Sequence, residues 1–594
     1  MDDVTNAVNI RLGNTGEYTI QRTCVAHIDT DLCINCGKCR RLCPVEAITE
    51  MQRAICRFCP DCAQGDVMLK EEQNEYAVSH ACSLGCPLGT TPEGFVNLVA
   101  EERWQDAYDL ISELNPLPSL CAMICSHPCM DECKRGTLID TSINIRGLKR
   151  AAVENVSVKA RPVFKQNIDK RIAIVGAGPA GITAAFYLAK KGYKVKIFEK
   201  NPQPGGMVRM GIPDFRLDKN MFLNDVKILE EAGIEIQYNS PVGSKPTIND
   251  LITNGYAAVL LATGASKGID LPIKGSLSDK VYNAVTFMQR VNSKEPVNNW
   301  KNPVKAAEMN KVVIIGSGSV ALDTARTAVR LGAEKAICAC LEAEGELLAP
   351  KDEVLEAVEE GVEFITSVSP VEIESNFITV KGVRFKKVSS IEKDENGRLK
   401  PIIVDDSEFS IEADTVIFAV GQRPDIKLLA RKAGLELDHR GGLIVDKDNL
   451  MTAKEKVFAA GDIINSRGSV ITAMESGRVA AMKIDDYINN KKQVDRTKEH
   501  KIDLACNEEK IFPIRLEKLS PINMPKTDMD KRKSFLPVEL GYTKAQAVME
   551  ARRCMKCGFE KVDKDKCIGC GACETVCPEN AISFRSVNME GDIK

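Results

Sequence analysis

The chain has 594 residues, enough for about four domains of roughly 150 residues each, and its 44% hydrophobic content supplies buried cores. A formal net charge of −3, from 80 Lys and Arg against 83 Asp and Glu, leaves no basic footprint for nucleic acid, and no stretch reaches the ~18 consecutive apolar residues of a membrane span. The opening MDDVTNAVNIRLGNTGEYTI lacks the basic start and apolar run of a secretory signal, so a cytoplasmic protein is expected, whose 23 cysteines read as metal ligands rather than disulfides.

The first block holds Cys33, Cys36, Cys39 and Cys43, followed by Pro44, in CINCGKCRRLCP. This is the C-x2-C-x2-C-x3-C-P spacing of [4Fe-4S] ligands. Cys56, Cys59 and Cys62 follow in CRFCPDC. In two-cluster ferredoxins the fourth cysteine of a run serves the other cluster, so Cys43 is expected to complete this triplet. The first cluster then lacks a ligand, and Cys24 is the nearest candidate; zinc on the C-x2-C pairs is the alternative. Next come Cys82 and Cys86 in ACSLGCPLG, then Cys121, Cys125, Cys129 and Cys133. The last four recur every fourth residue, as on one helix face; a buried structural stripe is the bland reading.

The middle of the chain alternates β-branched runs, glycine turns and amphipathic helix patterns, which predicts parallel sheets. In RIAIVGAGPAGITAAFYLAKKGYKVKIFEK (171–200) a strand runs into Gly176, Gly178 and Gly181, then a helix, then a second strand ending at Glu199. These glycines allow a tight turn, close approach to a pyrophosphate and helix-on-strand packing, and Glu199 would bond ribose hydroxyls. A second unit, KVVIIGSGSVALDTARTAVRLGAEKAICACLE (311–342), carries Gly316, Gly318 and Ala321 and ends at Glu342. Cys338 and Cys340 are spaced C-x-C there, which argues against a disulfide relay. Residues 496–553 are charged and mostly linker-like. Beyond them stand Cys554 and Cys557, then Cys567, Cys570, Cys573 and Cys577 in a second C-x2-C-x2-C-x3-C-P run.

These motifs resemble the small (beta) subunit of NADPH-dependent glutamate synthase and its relatives, which include electron-bifurcating NADH-dependent ferredoxin:NADP oxidoreductases and dihydropyrimidine dehydrogenase. The resemblance covers roughly residues 76–495. PGGMVRMGIPDFRL (204–217), with Gly205 and Gly206, is similar to the segment contacting the isoalloxazine. VFAAGDI (457–463) is similar to the one whose acid, Asp462, binds the ribityl chain and phosphates, and LLATGA (260–265) to the return crossing. The resemblance therefore implies FAD in the first unit and a nicotinamide nucleotide in the second, which VIFAVGQRPD (416–425), with Gly421, closes. NADP-dependent relatives place two arginines at the end of the second strand; Leu341 and Glu342 stand there instead. A carboxylate accepts from a free 2′-OH but repels a 2′-phosphate, so the residues favour NAD(H) over NADP(H).

The family's helical domain holds two [4Fe-4S] clusters. Its usual first cysteine pair is missing ahead of Cys82 and Cys86 but resembles GYTKAQAVMEARRCMKCG (541–558). Cys554 and Cys557 are thus expected to return to Cys82 and Cys86, with Cys121, Cys125, Cys129 and Cys133 serving a neighbouring cluster; a local cluster with Cys577 stays open.

The expected fold is α/β, with two Rossmann-like dinucleotide-binding domains of disulfide-reductase type, a helical 4Fe-4S domain and small ferredoxin-like α+β modules at both ends. The division is a ferredoxin-like module (1–75), helical domain (76–165), FAD domain in two parts (166–282 and 421–495), NAD(P) domain (283–420), linker and helical return segment (496–553) and C-terminal cysteine pair and module (554–594).

The expected function is a redox-complex subunit moving electrons between NAD(P)H and ferredoxin or other redox subunits, through FAD and three to five [4Fe-4S] clusters. NAD(P)H gives two electrons as a hydride and a cluster takes one, so FAD stands between them, and no catalytic side chain is named. Flavin-based electron bifurcation stays open. The alternative is a stand-alone reductase of a small organic molecule, for which the pyrimidine-reducing relative uses an additional FMN barrel; no such barrel fits here.

Overall fold

The structure is a computed structural model that describes residues 7–11, 17–21, 24–28, 33, 36, 38–43, 47–52, 81–159, 161–293, 309–376, 378–393, 399–464, 468–491, 518–562, 567, 570, 572–577 and 581–586. Cys56, Cys59 and Cys62 lie outside the described residues.

Near the N-terminus, β1 (Cys24–Ile28), α1 (Lys38–Leu42) and β2 (Ile48–Gln52) form one half of a small α+β unit. Short helices follow, among them α2 (Ala81–Leu84), α3 (Pro92–Ala100), α4 (Pro118–Ile124) and α5 (Ile145–Asn155). Proline at the first turn of α3 and of α4 starts each helix where a missing N–H costs nothing. The apolar faces of α3 and α5 share a core of Phe95, Leu98, Ile145, Leu148 and Ala152.

The flavin-type domain follows, with β3 (Ile168–Val175), α6 (Pro179–Lys190), β4 (Tyr193–Phe198), β5 (Glu235–Gln237) and β6 (Tyr256–Leu261). The inserted nucleotide-type domain contains β7 (Val281–Asn283), β8 (Lys311–Ile315), α7 (Ser319–Arg330), β9 (Lys335–Ala339), α8 (Lys351–Glu359), β10 (Val362–Ile365) and β11 (Thr415–Phe418). The chain then returns through β12 (Val457–Ala459) and α9 (Val470–Ile488). The two parallel sheets have the strand orders β12-β6-β3-β4-β5 and β7-β11-β8-β9-β10. Ile172–Val175 and Val312–Ile315 are buried on both faces, which is why these runs are continuously apolar rather than alternating.

After α9, residues 518–543 run back over the helical domain to α10 (Lys544–Ala551), then β13 (Gly558–Val562) and β14 (Ile582–Ser586). The ferredoxin-like elements expected at each end pair with one another. β1 lies antiparallel to β14, with Ala26 opposite Phe584, and β2 antiparallel to β13, with Glu50 opposite Glu560. Both ends of the chain thus build a single module around Ala26, Ile28, Cys39, Ala47, Ile48, Cys567, Cys573 and Ile582. Among the described residues no helix is long and apolar enough to cross a membrane.

Candidate redox sites

At the end of β3 the chain turns through Gly176 at φ +108°. A Cβ there would lie 2.5 Å from the Ala262 carbonyl oxygen, and one at Gly181 2.0 Å from the Gly176 oxygen, so strand, turn and helix close only around glycine. Gly178, the N-cap of α6, has no side-chain cap bond and open space where a Cβ would sit, leaving first-turn amides to face an anion. Buried Glu199 accepts the Ala177 and Asn201 N–H groups, both at 2.8 Å, which fixes the acid beside the turn. Gly205 donates its N–H to the Ala177 oxygen at 2.8 Å and Gly206 lies against Gly178. Asp462 comes from the short turn Gly461–Ile463, and burial pushes its carboxyl up to about 6. The open phosphate cradle and the buried acid fit FAD.

The second unit repeats the geometry with one change. Gly316 sits at φ +139° against the Ala419 oxygen, Gly318 is open and Ala321 is buried. The Gly316 N–H bonds to Ala339 O as the Gly176 N–H bonds to Phe198 O, both at 2.8 Å. By that register Cys340, not Glu342, occupies the position of Glu199. Glu342 lies two residues further on and still reaches the turn, where its Oε2 accepts the Ser317 hydroxyl at 2.8 Å. Burial pushes the Cys340 thiol up to about 12, so it is an inert neighbour. Gly421, at φ +118°, accepts the Ile269 N–H at 3.1 Å where the chain crosses back.

The helical domain sorts its cysteines differently from the expectation. Cys82, Cys133, Cys554 and Cys557 line one cavity together with Glu93 and Arg135. Cys86 instead falls with Cys121, Cys125 and Cys129, all four of which are charge neighbours of buried Lys149. Two breaks in the backbone explain the exchange. α2 ends at Leu84, so Cys86 leaves the helix face that carries Cys82 and meets Thr90 Oγ1 at 2.9 Å. The every-fourth-residue stripe is not one helix either: α4 ends before Cys125, His127 is left-handed at φ 45°, and Pro128 starts a new turn. Burial pushes the Cys129 and Cys554 thiols up to about 12, and Cys82 and Cys557 upward as well. Cys125, in the set with Cys129, runs the other way, its thiol lowered to about 6 by its hydrogen bond with Cys121.

Cys86, Cys121 and Cys125 pack into the core shared with Ala177, Ala180 and Met474 of the flavin-type domain, and Cys121 Sγ reaches Met474 Sδ at 3.6 Å. At the other side, Cys36 shares a core with Cys129 and Cys133. Its carbonyl accepts from Thr91 at 3.3 Å and from Arg41 at 3.2 Å, and Arg41 also pairs with Glu113 at 3.0 Å. The ferredoxin-like module is therefore docked on the helical domain.

Within that module the two halves are equivalent. Ala47 N–H bonds to Cys43 Sγ at 3.2 Å, and Ala581 N–H to Cys577 Sγ at 3.3 Å. Cys33, Cys36, Cys39 and Cys43 share one small neighbourhood with Cys567, Cys570, Cys573 and Cys577. Cys577 is a charge neighbour of Cys36, while Cys43 packs on the core containing Cys567 and Cys573. Cys43 thus lies beside cysteines from the far end of the chain, while the 56–62 triplet that it is expected to complete lies outside the described residues. Cys24 opens β1 opposite Ser586, at the strand's outer end.

Residues 170–477 match the family described as pyridine nucleotide-disulphide oxidoreductase, residues 75–160 the 4Fe-4S cluster domain II of dihydropyrimidine dehydrogenase, and residues 26–49 and 560–583 the 4Fe-4S binding domain. The glutamate synthase [NADPH] small chain of Escherichia coli is 33% identical over 68% of this chain and 88% of its own. The NADPH-Fe(3+) oxidoreductase subunit beta of Geobacter sulfurreducens is 30% identical over 80% and 75%. The NADP(+)-dependent formate dehydrogenase subunit beta of Moorella thermoacetica is 29% identical over 81% and 71%.

Proposed function

Because the chain belongs to the pyridine nucleotide-disulphide oxidoreductase family, in the branch of the glutamate synthase small chains, we propose that it is the electron-transfer subunit of a redox complex, linking a nicotinamide nucleotide to a partner through FAD and iron–sulfur clusters. The observation that carries this is that the sites adjoin: the flavin-type core takes in Cys86, Cys121 and Cys125, and the helical-domain core that takes in Cys129 and Cys133 also takes in Cys36 of the terminal module.

Bound FAD would exchange a hydride with the nicotinamide and single electrons with clusters. The chain's own residues bind and orient. Gly176 and Gly181 let strand, turn and helix close, Gly178 leaves room for the pyrophosphate, Glu199 and Asp462 would accept from ribose and ribityl hydroxyls, and Gly205 and Gly206 bring the 204–217 stretch across the turn. Arg216 in that stretch bonds Asp323 at 2.9 Å and Glu353 at 2.5 Å, which holds the nucleotide-type domain against the flavin-type domain. Asp462 makes a pH prediction. Its carboxylate is a stronger, charge-assisted acceptor than its acid form, in which one oxygen becomes a donor, so FAD affinity should fall as pH drops through about 6. The expected loss is roughly tenfold, one charge-assisted hydrogen bond of about 1.5 kcal/mol, and Asp462→Asn should remove the pH dependence in a flavin-fluorescence titration.

Four ligand sets follow from the proximities and from the ferredoxin rule that a run's fourth cysteine crosses over: Cys33, Cys36, Cys39 with Cys577; Cys567, Cys570, Cys573 with Cys43; Cys82, Cys133, Cys554 with Cys557; and Cys86, Cys121, Cys125 with Cys129. Exposed Cys570 lies where the outermost cluster would meet ferredoxin or another redox subunit.

We assign NAD(H) to the second unit. The relatives named above carry NADP(H) in their names, but here Glu342 accepts the Ser317 hydroxyl beside the turn, and a carboxylate there would repel a 2′-phosphate. Anaerobic reduction kinetics with each nucleotide test this. NADH should be preferred, and the double change Leu341→Arg with Glu342→Arg should move preference toward NADPH; a wild-type preference for NADPH overturns the assignment.

A further inference from the structure

Residues 474–478 of α9 touch both the flavin-type turn and the cysteine set beside it. Ser476 Oγ accepts the Gly461 N–H at 2.8 Å, next to Asp462, and Gly477 packs so closely on α6 that a Cβ there would stand 2.1 Å from the Ala180 oxygen. Met474 Sδ lies 3.6 Å from Cys121 Sγ, in the core that also buries Cys86 and Cys125. Arg478, four residues on, is on the same helix face as Met474. Its Nη2 donates at 3.4 Å to the carbonyl of Pro87, the residue that follows Cys86. Its Nη1 meets Met482 Sδ at 3.6 Å, and its buried Nε makes no hydrogen bond. Among the described residues no carboxylate forms an ion pair with it; Glu475, one turn back, is a charge neighbour at longer range. A guanidinium with its fork of N–H donors is thus held beside Cys86 by one carbonyl and one thioether, neither of them charged.

We infer that Arg478 is a positioning charge at the junction of flavin and cluster: it favours the reduced form of the cluster held by Cys86, Cys121, Cys125 and Cys129, and so draws electrons off the flavin. The inference rests on the cluster assignment just proposed. A half-buried cation without a counter-ion is unfavourable unless negative charge sits beside it. A [4Fe-4S] cluster with four thiolates is anionic and gains one further negative charge when it accepts an electron. Net charge, hydrogen bonding and exposure are what the protein uses to tune such a site. The guanidinium bonds the Pro87 carbonyl rather than a sulfur, so it is a charge held next to the ligands and not a ligand itself. One electron passes from the reduced flavin to the cluster, no bond forms or breaks, and the arginine stabilises the product side. Because the same stretch of α9 holds Gly461 and Ala180, that charge is fixed in place relative to the flavin turn.

The test is a redox titration of the loaded full-length chain, followed by electron paramagnetic resonance, with iron, flavin and spin quantitation for every variant. Cys125→Ser identifies the signal of this cluster by removing it. Arg478→Met should lower its midpoint by about the tenfold equilibrium shift that 59 mV represents for one electron, while the other cluster midpoints stay in place. Arg478→Lys, which keeps the charge, should restore most of the difference. Arg478→Gln is measured alongside, so that loss of the cluster from one variant still leaves a reading. An unchanged midpoint with the signal present, an equal shift of every cluster, or a lysine variant as low as the methionine one overturns the inference. Loss of the cluster from both neutral variants makes Arg478 structural and overturns it as well. A Cys125→Ser chain that keeps every cluster signal would instead overturn the cluster assignment itself.

Discussion

Cys577→Ser is expected to empty a cluster site more than 500 residues away in sequence, the one lined by Cys33, Cys36 and Cys39. Antiparallel β1–β14 and β2–β13 ladders bring the two runs together, and Cys577 acts on Cys36. The reciprocal change, Cys43→Ser, should empty the site of Cys567, Cys570 and Cys573. Each variant should lose about four irons per chain, one [4Fe-4S] cluster, as read by iron assay and electron paramagnetic resonance. Removing residues 1–52 should abolish both clusters, because ligand binding and folding are one event in such small metal-dependent modules. A truncated chain that keeps the cluster of Cys567, Cys570 and Cys573 would contradict the joint module.

Glu550→Ala should be the most destabilising single change in the return segment. Glu550 is 1% exposed and its two oxygens accept Asn144 N–H at 2.9 Å, Ile522 N–H at 2.9 Å and Arg553 Nη1 at 2.7 Å. Arg553, itself 2% exposed, also reaches Thr141 O at 2.9 Å and Asp140 at 3.0 Å. Truncating the acid leaves the Asn144 and Ile522 N–H groups without this acceptor and takes one of two carboxylates from the Arg553 guanidinium, together about 3–5 kcal/mol. Because this network positions α10 just ahead of Cys554 and Cys557, the cluster of the Cys82 set should be lost with it. Chemical denaturation of the loaded protein and spin quantitation check the two effects separately. The charge-conserving Glu550→Asp should retain part of both.

What could be read from sequence follows the range of the interactions. Gly176, Gly178, Gly181 and Glu199, like Gly316, Gly318 and Ala321, lie within one strand–turn–helix unit, where local spacing dictates geometry. The cysteine runs were legible as ligands for the same reason. Their partition was not. The repeat of Cys33–Cys43 at Cys567–Cys577 was visible, but the ladder joining them uses strands of five residues, too short to announce themselves by hydrophobic pattern. The exchange of Cys86 for Cys133 turns on where α2 stops and on the helix break at Cys125–Pro128; Pro128 was the available signal. Glu342 was legible as the acid ending the second strand, but not its offset from the position of Glu199, which depends on sheet register. Lys149 and Glu93 gave no signal, since their burial exists only once helices from both halves of the domain have packed.

The most direct test of the central claim, that one chain carries electrons from a nicotinamide nucleotide through a flavin to its clusters, is anaerobic titration of the reconstituted protein with NADH, followed at flavin and cluster absorbance. The account predicts that both bleach. Flavin bleaching with every cluster left oxidised, under conditions where dithionite reduces them, would contradict it.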